Sequence, residues 1–598
     1  MALLIEDYAL IGDCHTGALV GRDGSIDWLC LPRFDSPTTF GALLGDENNG
    51  RWLLAPLDDV IETSRRYQED TFILVTRWVT ATGEVEVIDL MPHGDRRADV
   101  VRRVRGIRGS VTMMQDVRIR FNYSEAMPWV RQVPEKRGPA LLAVAGPDAV
   151  IIRGPQLRAT NHSHAAEFTV EEGDIVDTTL TWFPAHRQPP EPLDVSNRIE
   201  VTEKWWREWA ASCTASPLYH DEVHRSLLVL RALTHEDTGG IVAAATTSLP
   251  ESFGGNRNWD YRYVWLRDAS LTLNVLMRHG FKHEASAWRG WLLRAVAGDP
   301  ADIQIMYGLS GERRLTEWEV DSLPGYRGAS PVRVGNDAWR QYQGDIFGEV
   351  MLALRQAREL GIKEGRFSWP LQRALMSFVE ENWRRPDNGI WEIRGPLRHF
   401  THSRVMIWAA FDCAVNAVAE FGLDGPVERW TKLREEVRVE IEARGFDPVR
   451  GTYTQYYGGV GVDASLLQLS QVGYIAADDP RMLGTVAAIE EELLRDGLVM
   501  RYQTESGVDG LPSGEHPFLA CSFWLVEQYA RSGRRDDAIQ LMDRLVGLAN
   551  DVGLLSEQYD VGENRQAGNT PQALTHLALV RAADAISGTM TDRSAAHH

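Results

Sequence analysis

The feature that most constrains this chain is a change in the spacing of its apolar residues. Up to about residue 190 they alternate over short runs, and from about residue 219 they recur with a period near 3.6. Alternation places every second side chain on one face of a strand, whereas the longer period places every third or fourth on one stripe of a helix. The first part carries turn signals at short intervals: Gly21-Arg22-Asp23-Gly24, Thr82-Gly83, Gly146-Pro147 and Glu172-Gly173. Between them lie β-branched or alternating runs at 71–79, 84–90 and 177–183. Many short strands so spaced predict an antiparallel β-sandwich over residues 1–193. A proline-rich stretch, 188–192, precedes a helix expected over 195–212, inside a linker at 194–218. Residues 219–590 read as helical. Val223, Leu227 and Leu230 share one face, as do Ala538, Leu541, Met542 and Leu545. Helices of average length, separated by long Gly-, Pro- and Trp-rich loops such as 251–259 and 323–336, would number about a dozen. Loops of that length in a compact domain usually carry function.

Charge and cysteine usage narrow the function classes. The net charge of −21 over 598 residues repels phosphate backbones and anionic lipid, which argues against a nucleic-acid or membrane partner. No apolar run approaches the ~20 residues that span a bilayer. The N-terminus lacks the basic and apolar regions of a signal peptide. The five cysteines, Cys14, Cys30, Cys213, Cys413 and Cys521, are far apart and form no CxxC pair, as expected of free thiols in the cytoplasm. His162 and His164 have no third ligand near them in the sequence and read as surface histidines, so no metal site is expected.

Phosphate-binding, dinucleotide-binding, HExxH and GxSxG motifs are absent. What stands out is aromatic and acidic density in loops. Several of the 20 tryptophans sit beside carboxylates: in the run 258–268, at Glu317-Trp318-Glu319, and at Trp391-Glu392. Aromatic faces stack on the apolar face of a pyranose, while carboxylates and arginine bond its hydroxyls. A single tryptophan more often fills a core. The run 258–268 interleaves charge and aromatics too tightly for one buried and one wet face, and reads as a site. Glu392 follows a large apolar ring, which desolvates its carboxyl and suits a general acid. Glu557 has polar neighbours, 554–560, and is expected to stay ionised, as a general base requires. Glycoside hydrolysis uses two such carboxyls.

At these residues the chain resembles a known family, the glucoamylase and trehalase-like glycoside hydrolases, family 15. The run Ile5-Glu6-Asp7-Tyr8-Ala9-Leu10-Ile11-Gly12-Asp13-Cys14-His15-Thr16-Gly17 and the run 23–37 are similar to the N-terminal domain of its bacterial trehalase-like members. Residues 306–317, 323–328 and 331–336 are similar to its barrel loops, and 389–394 and 556–560 to its two catalytic motifs. The resemblance implies a β-sandwich followed by an (α/α)6 barrel, and an inverting, exo-acting α-glucoside hydrolase. It implies Glu392 as general acid and Glu557 as general base. Arg267 and Asp268 would hold the terminal sugar, with Trp265, Trp391 and Arg333 on the wall and Tyr261 near the catalytic water. No cofactor is required by this chemistry. The resemblance leaves open a dependence on phosphate or magnesium, and a homo-oligomer.

Two departures bear on the substrate. Fungal glucoamylases carry a tryptophan in the loop corresponding to 326–330, and none stands here. Their arginine before the segment matching His516-Pro517-Phe518 has no counterpart near Leu511-Pro512-Ser513. Both weaken starch as the substrate. Trehalose is therefore the expected small carbohydrate, with maltooligosaccharides, isomaltose or dextrin ends as the alternative. A phosphorylase would need no second carboxylate, and a decayed binding protein would not keep both.

Overall fold

The computed structural model describes residues 2–588 apart from 137, 215 and 513. The expected barrel end at 590, and Ser513 of the loop named above, lie outside the described residues. Among the described residues, strands dominate up to Pro184, and the first long helix, α1 (Val195–Ala210), begins at the predicted place. Each of the four turn signals joins two strands. Three of them close hairpins, Gly17–Gly21 to Ser25–Cys30, Leu74–Thr80 to Gly83–Leu90, and Ala140–Ala145 to Asp148–Arg153, while the fourth links Ser163–Glu171 to Ile175–Pro184, which pair with different stretches of one long strand.

The strands form two antiparallel layers joined by one long strand, Ala98–Arg118. Its first half pairs with Gly83–Leu90 and Ile175–Pro184; its second half pairs with Arg51–Pro56 and Ser163–Glu171. The crossing occurs at Gly106, where the register with Gly83–Leu90 shifts between Glu84 and Val85. A shift of this kind re-aims a strand. Gly106 is required there because a Cβ would stand 1.9 Å from the Glu171 carbonyl oxygen. The strands Tyr8–Gly12, Gly17–Gly21 and Ser25–Cys30 are buried along their whole length. Their second face lies against the helical domain, where the Trp28 indole donates to the Ala245 carbonyl (2.9 Å) and Arg65 pairs with Asp551 (2.7 Å).

Twelve further α-helices follow among the described residues: α2 (His220–Ala232), α3 (Leu266–Arg278), α4 (Lys282–Ala295), α5 (Asp345–Glu359), α6 (Ser368–Asn382), α7 (Thr401–Ala419), α8 (Val427–Arg444), α9 (Gln468–Gln471), α10 (Pro480–Leu493), α11 (Leu519–Arg531), α12 (Arg535–Val546) and α13 (Ala573–Ile586). The odd-numbered helices from α3 to α13 contact one another in sequence order, and α13 returns to α3, closing a ring; even-numbered ones pack outside it. This is an (α/α)6 barrel. Composition follows position. The inner α7 and α13 are buried on nearly every side and mostly apolar, as a helix without a wet face must be, with a few buried polar residues such as Arg404 and Arg581. The outer α8 buries only Trp430, Val437 and Ile441 and is charged elsewhere.

Gly106→Ala should lower the unfolding free energy by about 1–3 kcal/mol, the usual cost of overpacking, read as a lower urea midpoint. Gly365→Ala, whose added carbon meets nothing within 4 Å, is the comparison. Equal midpoints for the two variants would remove Gly106 from its role.

Candidate active site

The loops before the inner helices converge at one end of the barrel. Around them lies a cavity of about 820 Å³, open solvent at its mouth included. Its walls come from the first turn of α3, the loops ahead of α5, α7 and α11, and the start of α13. These are helix N-terminal ends, whose free N–H groups favour negative charge.

The segment 258–268 forms one wall; its residues alternate over 258–262, and from Leu266 it is the first turn of α3. Trp259, Tyr261, Trp265 and Arg267 line the cavity. Asn258, Asp260 and Arg262 are fully buried behind them. Arg262 grips Asp260 through two bonds (2.9 and 2.7 Å) and donates to the Ser36 carbonyl and the Tyr123 hydroxyl of the β-domain (2.9 Å each). The interleaved charges that mark this run as a site are thus shared out. The aromatic positions serve the cavity, and an ion pair serves the interface between domains.

Glu392 lies on the opposite loop, and its Oε1 accepts from the Trp265 indole (2.6 Å). Its backbone is left-handed, φ 57°, a conformation that costs a non-glycine residue about 1–3 kcal/mol. Neighbouring bonds hold it there. The Glu392 N–H donates to the Gly389 carbonyl (3.1 Å), Gln341 to the Glu392 carbonyl (3.0 Å), and Asn388 to the Ile393 carbonyl (2.8 Å). Burial raises the Glu392 carboxyl above its ordinary range, against the opposing pull of Arg267 and the indole bond. Arg267 itself is held by Asp268 (2.7 Å) and the Ile390 carbonyl (2.8 Å).

Glu557 is completely buried, and its Oε1 accepts from the Tyr261 hydroxyl (2.7 Å). Gly568 permits the approach of the neighbouring chain, since a Cβ there would meet Glu557 Oε2 at 2.6 Å. The polar, ionised setting expected from the local sequence is corrected here. Burial, and then the carboxylate of Glu251, push the Glu557 carboxyl up to about 8. Arg501, the Tyr261 hydroxyl and the Asn569 N–H oppose that rise.

Seven of the eight expected residues meet at this site. Tyr261, Trp265, Arg267, Asp268, Trp391 and Glu392 line the cavity, and Glu557 stands behind Tyr261. Trp391 is fixed through its indole N–H to Asp463 (2.9 Å). Arg333 is the exception. It sits off the wall, over the Trp259 ring at 4.6 Å, donating to the Asn256 and Asn258 carbonyls (2.8 and 3.3 Å). The short strand Arg333–Val334 pairs with Trp318–Glu319, which turns its side chain towards Glu317 rather than the cavity.

Sequence reasoning missed other lining residues, chiefly Glu251, Arg501, Tyr502 and Asp509. Arg501 bears on the departure noted above. An arginine does reach this cavity, from ten residues upstream of Leu511, and it is held by Glu251 (2.7 Å) and by Glu515. The pair Arg501-Tyr502 repeats the charge-beside-aromatic signal of 258–268, and Glu251 opens a loop already marked as functional. No residue of 326–330 stands on the wall.

Comparison with known proteins gives the family of the chain. The profile of glycosyl hydrolases family 15 matches residues 217–584, and that of the trehalase-like N-terminal domain matches 1–171. The chain is 35% identical to a trehalase of Mycolicibacterium smegmatis over 97% of its own length and 90% of the relative's. It is 34% identical to a trehalase of Thermoplasma acidophilum over 94% and 97%. A bacterial glucoamylase solved with acarbose superposes with a TM-score of 0.73 at 13% identity, covering 98% of this chain and 94% of that one, which shows a shared fold. The chain therefore belongs to glycosyl hydrolase family 15 and is a glycoside hydrolase with a trehalase-like N-terminal domain.

Proposed function

We propose that this enzyme hydrolyses α,α-trehalose to two glucose molecules with inversion at the attacked carbon. The observation that carries the hydrolytic reading is the bracketing of two carboxyls by one segment. Trp265 holds Glu392 and Tyr261 holds Glu557, and the two rings meet edge to face at 5.4 Å. Two rings between the carboxyls fit the wide separation, ~6.5–9.5 Å, that leaves room for an attacking water. The choice of trehalose is supported by trehalase relatives that match both domains over nearly the full chain.

Burial raises the Glu392 carboxyl, which favours the protonated form that gives its proton to the glycosidic oxygen as the bond breaks. Arg267 and Asp268 orient the sugar that gains oxocarbenium character. Glu557 removes a proton from water on the far face, with Tyr261 sharing the carboxylate. Arg501 and the Asn569 N–H favour its ionised form, and Glu251 opposes it. Both proton transfers fall to side chains of this chain. The unbridged cysteines support a cytoplasmic setting, and no described helix is long and apolar enough to cross a membrane.

The first test is glucose release from trehalose, maltose, maltotriose, isomaltose and starch, with and without phosphate and magnesium. Trehalose should be cleaved best; cleavage of maltotriose or isomaltose without trehalose would sink the substrate reading. Proton NMR of the first turnovers should show one α- and one β-glucose per trehalose, whereas two α-glucoses would mean retention. Glu392→Gln and Glu557→Gln should each lower kcat ~10²–10⁴-fold while leaving the folded circular dichroism spectrum in place. Near-normal turnover in either would overturn its role. Glu251→Gln removes a carboxylate that raises Glu557. Glu557 works ionised, so a lower pKa should extend the acidic limb of kcat/KM to lower pH. A limb that stays in place or moves up would remove Glu557 as the base.

A further inference from the structure

Burial separates the floor of the cavity from its rim. Asp268, Arg501 and Asp509 are buried, Trp259 and Leu511 half-buried, and Arg394 exposed. At the rim the Arg394 guanidinium carbon lies 4.2 Å from the centroid of the Trp259 indole, and that of Arg333 lies 4.6 Å from the same centroid. Glu317 joins the two cations, with Oε2 3.0 Å from Arg394 Nη2 and Oε1 3.5 Å from Arg333 Nε. Cations over the ring and one carboxylate between them hold the indole in place. The backbone of Trp259 is anchored as well. Its carbonyl accepts from Asn569 Nδ2 (3.0 Å) and from the Ser248 N–H (2.9 Å).

Three loops therefore meet at one ring. Arg394 comes from the loop of Glu392, two residues on. Asn569 accepts the Glu557 N–H through its carbonyl (3.1 Å). Glu317 and Arg333 come from the loop between α4 and α5. Glu392 must reach the bridging oxygen of a bound glycoside, so the leaving sugar lies along its loop, on the side that Arg394 and Trp259 border. The charge on Arg394 is engaged by Glu317 and the indole, so the group is occupied as a wall.

We propose that Trp259, clamped by Arg394, Arg333 and Glu317, closes the leaving-group end of the cavity, so that one glucose fits beyond the scissile bond and a second does not. This rests on the reading of the cavity as an α-glucoside hydrolase site, and it makes chain length a property of the rim. Opening the rim requires breaking the Arg394–Glu317 ion pair and displacing the indole from its two cations.

The test uses the full-length enzyme and two substrate pairs, each a disaccharide with its trisaccharide carrying one more glucose on the leaving side: trehalose with 4-O-α-glucosyl-trehalose, and maltose with maltotriose. In the parent enzyme kcat/KM should favour the disaccharide of whichever linkage is cleaved. Arg394→Ala, Glu317→Gln and Trp259→Ala should each raise the trisaccharide-to-disaccharide ratio about tenfold or more. The ratio is internal to each variant, so partial unfolding lowers both members alike and cannot imitate the effect. A ratio within about twofold of the parent in all three variants, or a parent that cleaves both lengths equally, would overturn the clamp. A parent that cleaves maltose but not trehalose would overturn the trehalose reading and leave the clamp to be judged on the maltose pair. A parent that cleaves no disaccharide would overturn both.

Discussion

Asp260 and Arg262 form an ion pair with no exposed surface, placed where the β-domain meets the barrel. Removing two charges from water is costly unless geometry and further bonds compensate. Here the compensation is complete enough to be directional. Arg262 spends its remaining donors on Ser36 and Tyr123 of the β-domain, and Asp260 also accepts from the Gly335 N–H (3.2 Å). Because side chains alternate along an extended segment, fixing 260 and 262 on the interface side directs 259 and 261 into the cavity. The β-domain is thus part of the site's support although it supplies none of the lining residues.

The cavity keeps several carboxyls in a setting that opposes their charge. Burial raises Glu392, Glu557 and Glu515, and the compensation comes from Arg267 for the first and from Arg501 for the other two. Arg501 stands between Glu251 and Glu515, so its field is divided before it reaches Glu557. A fold selected for stability alone would fill this space with apolar side chains. The left-handed Glu392 and the tight passage of Gly568 past Glu557 belong to the same pattern. Local preference yields where a side chain must face a substrate.

The broad architecture was legible because its signals are local. The turn pairs Gly21-Arg22-Asp23-Gly24 and Gly146-Pro147 join strands where expected, α1 and α2 begin at their predicted starts, and the apolar stripe from Ala538 lies within α12. The run 258–268 was recognisable as a site from its composition, though its charges have two destinations that periodicity could not separate. The environment of Glu557 was misread because its neighbours in the chain are polar while its neighbours in space are a buried wall, Tyr261 and Glu251. Arg333 was drawn to the wall by motif similarity, and strand pairing with Trp318–Glu319 turns it behind Trp259 instead. Arg501 went unseen because its partners, Glu251 and Glu515, are hundreds of residues and one loop away, respectively.

The sequence by itself determined the order of elements and the change from strands to helices, since turn chemistry and apolar period are properties of adjacent residues; the helical ring and the choice of Glu392 and Glu557 came from the resemblance of its motifs to a family. Only the tertiary structure decided which face of the 258–268 segment meets the cavity, which arginine enters it, how far each carboxyl is lifted and what stands at the rim. Those depend on distances between loops that ring closure brings together, and on the loss of water where they meet. Burial and electrostatic pairing are properties of that assembled space, and no local window of the chain contains them.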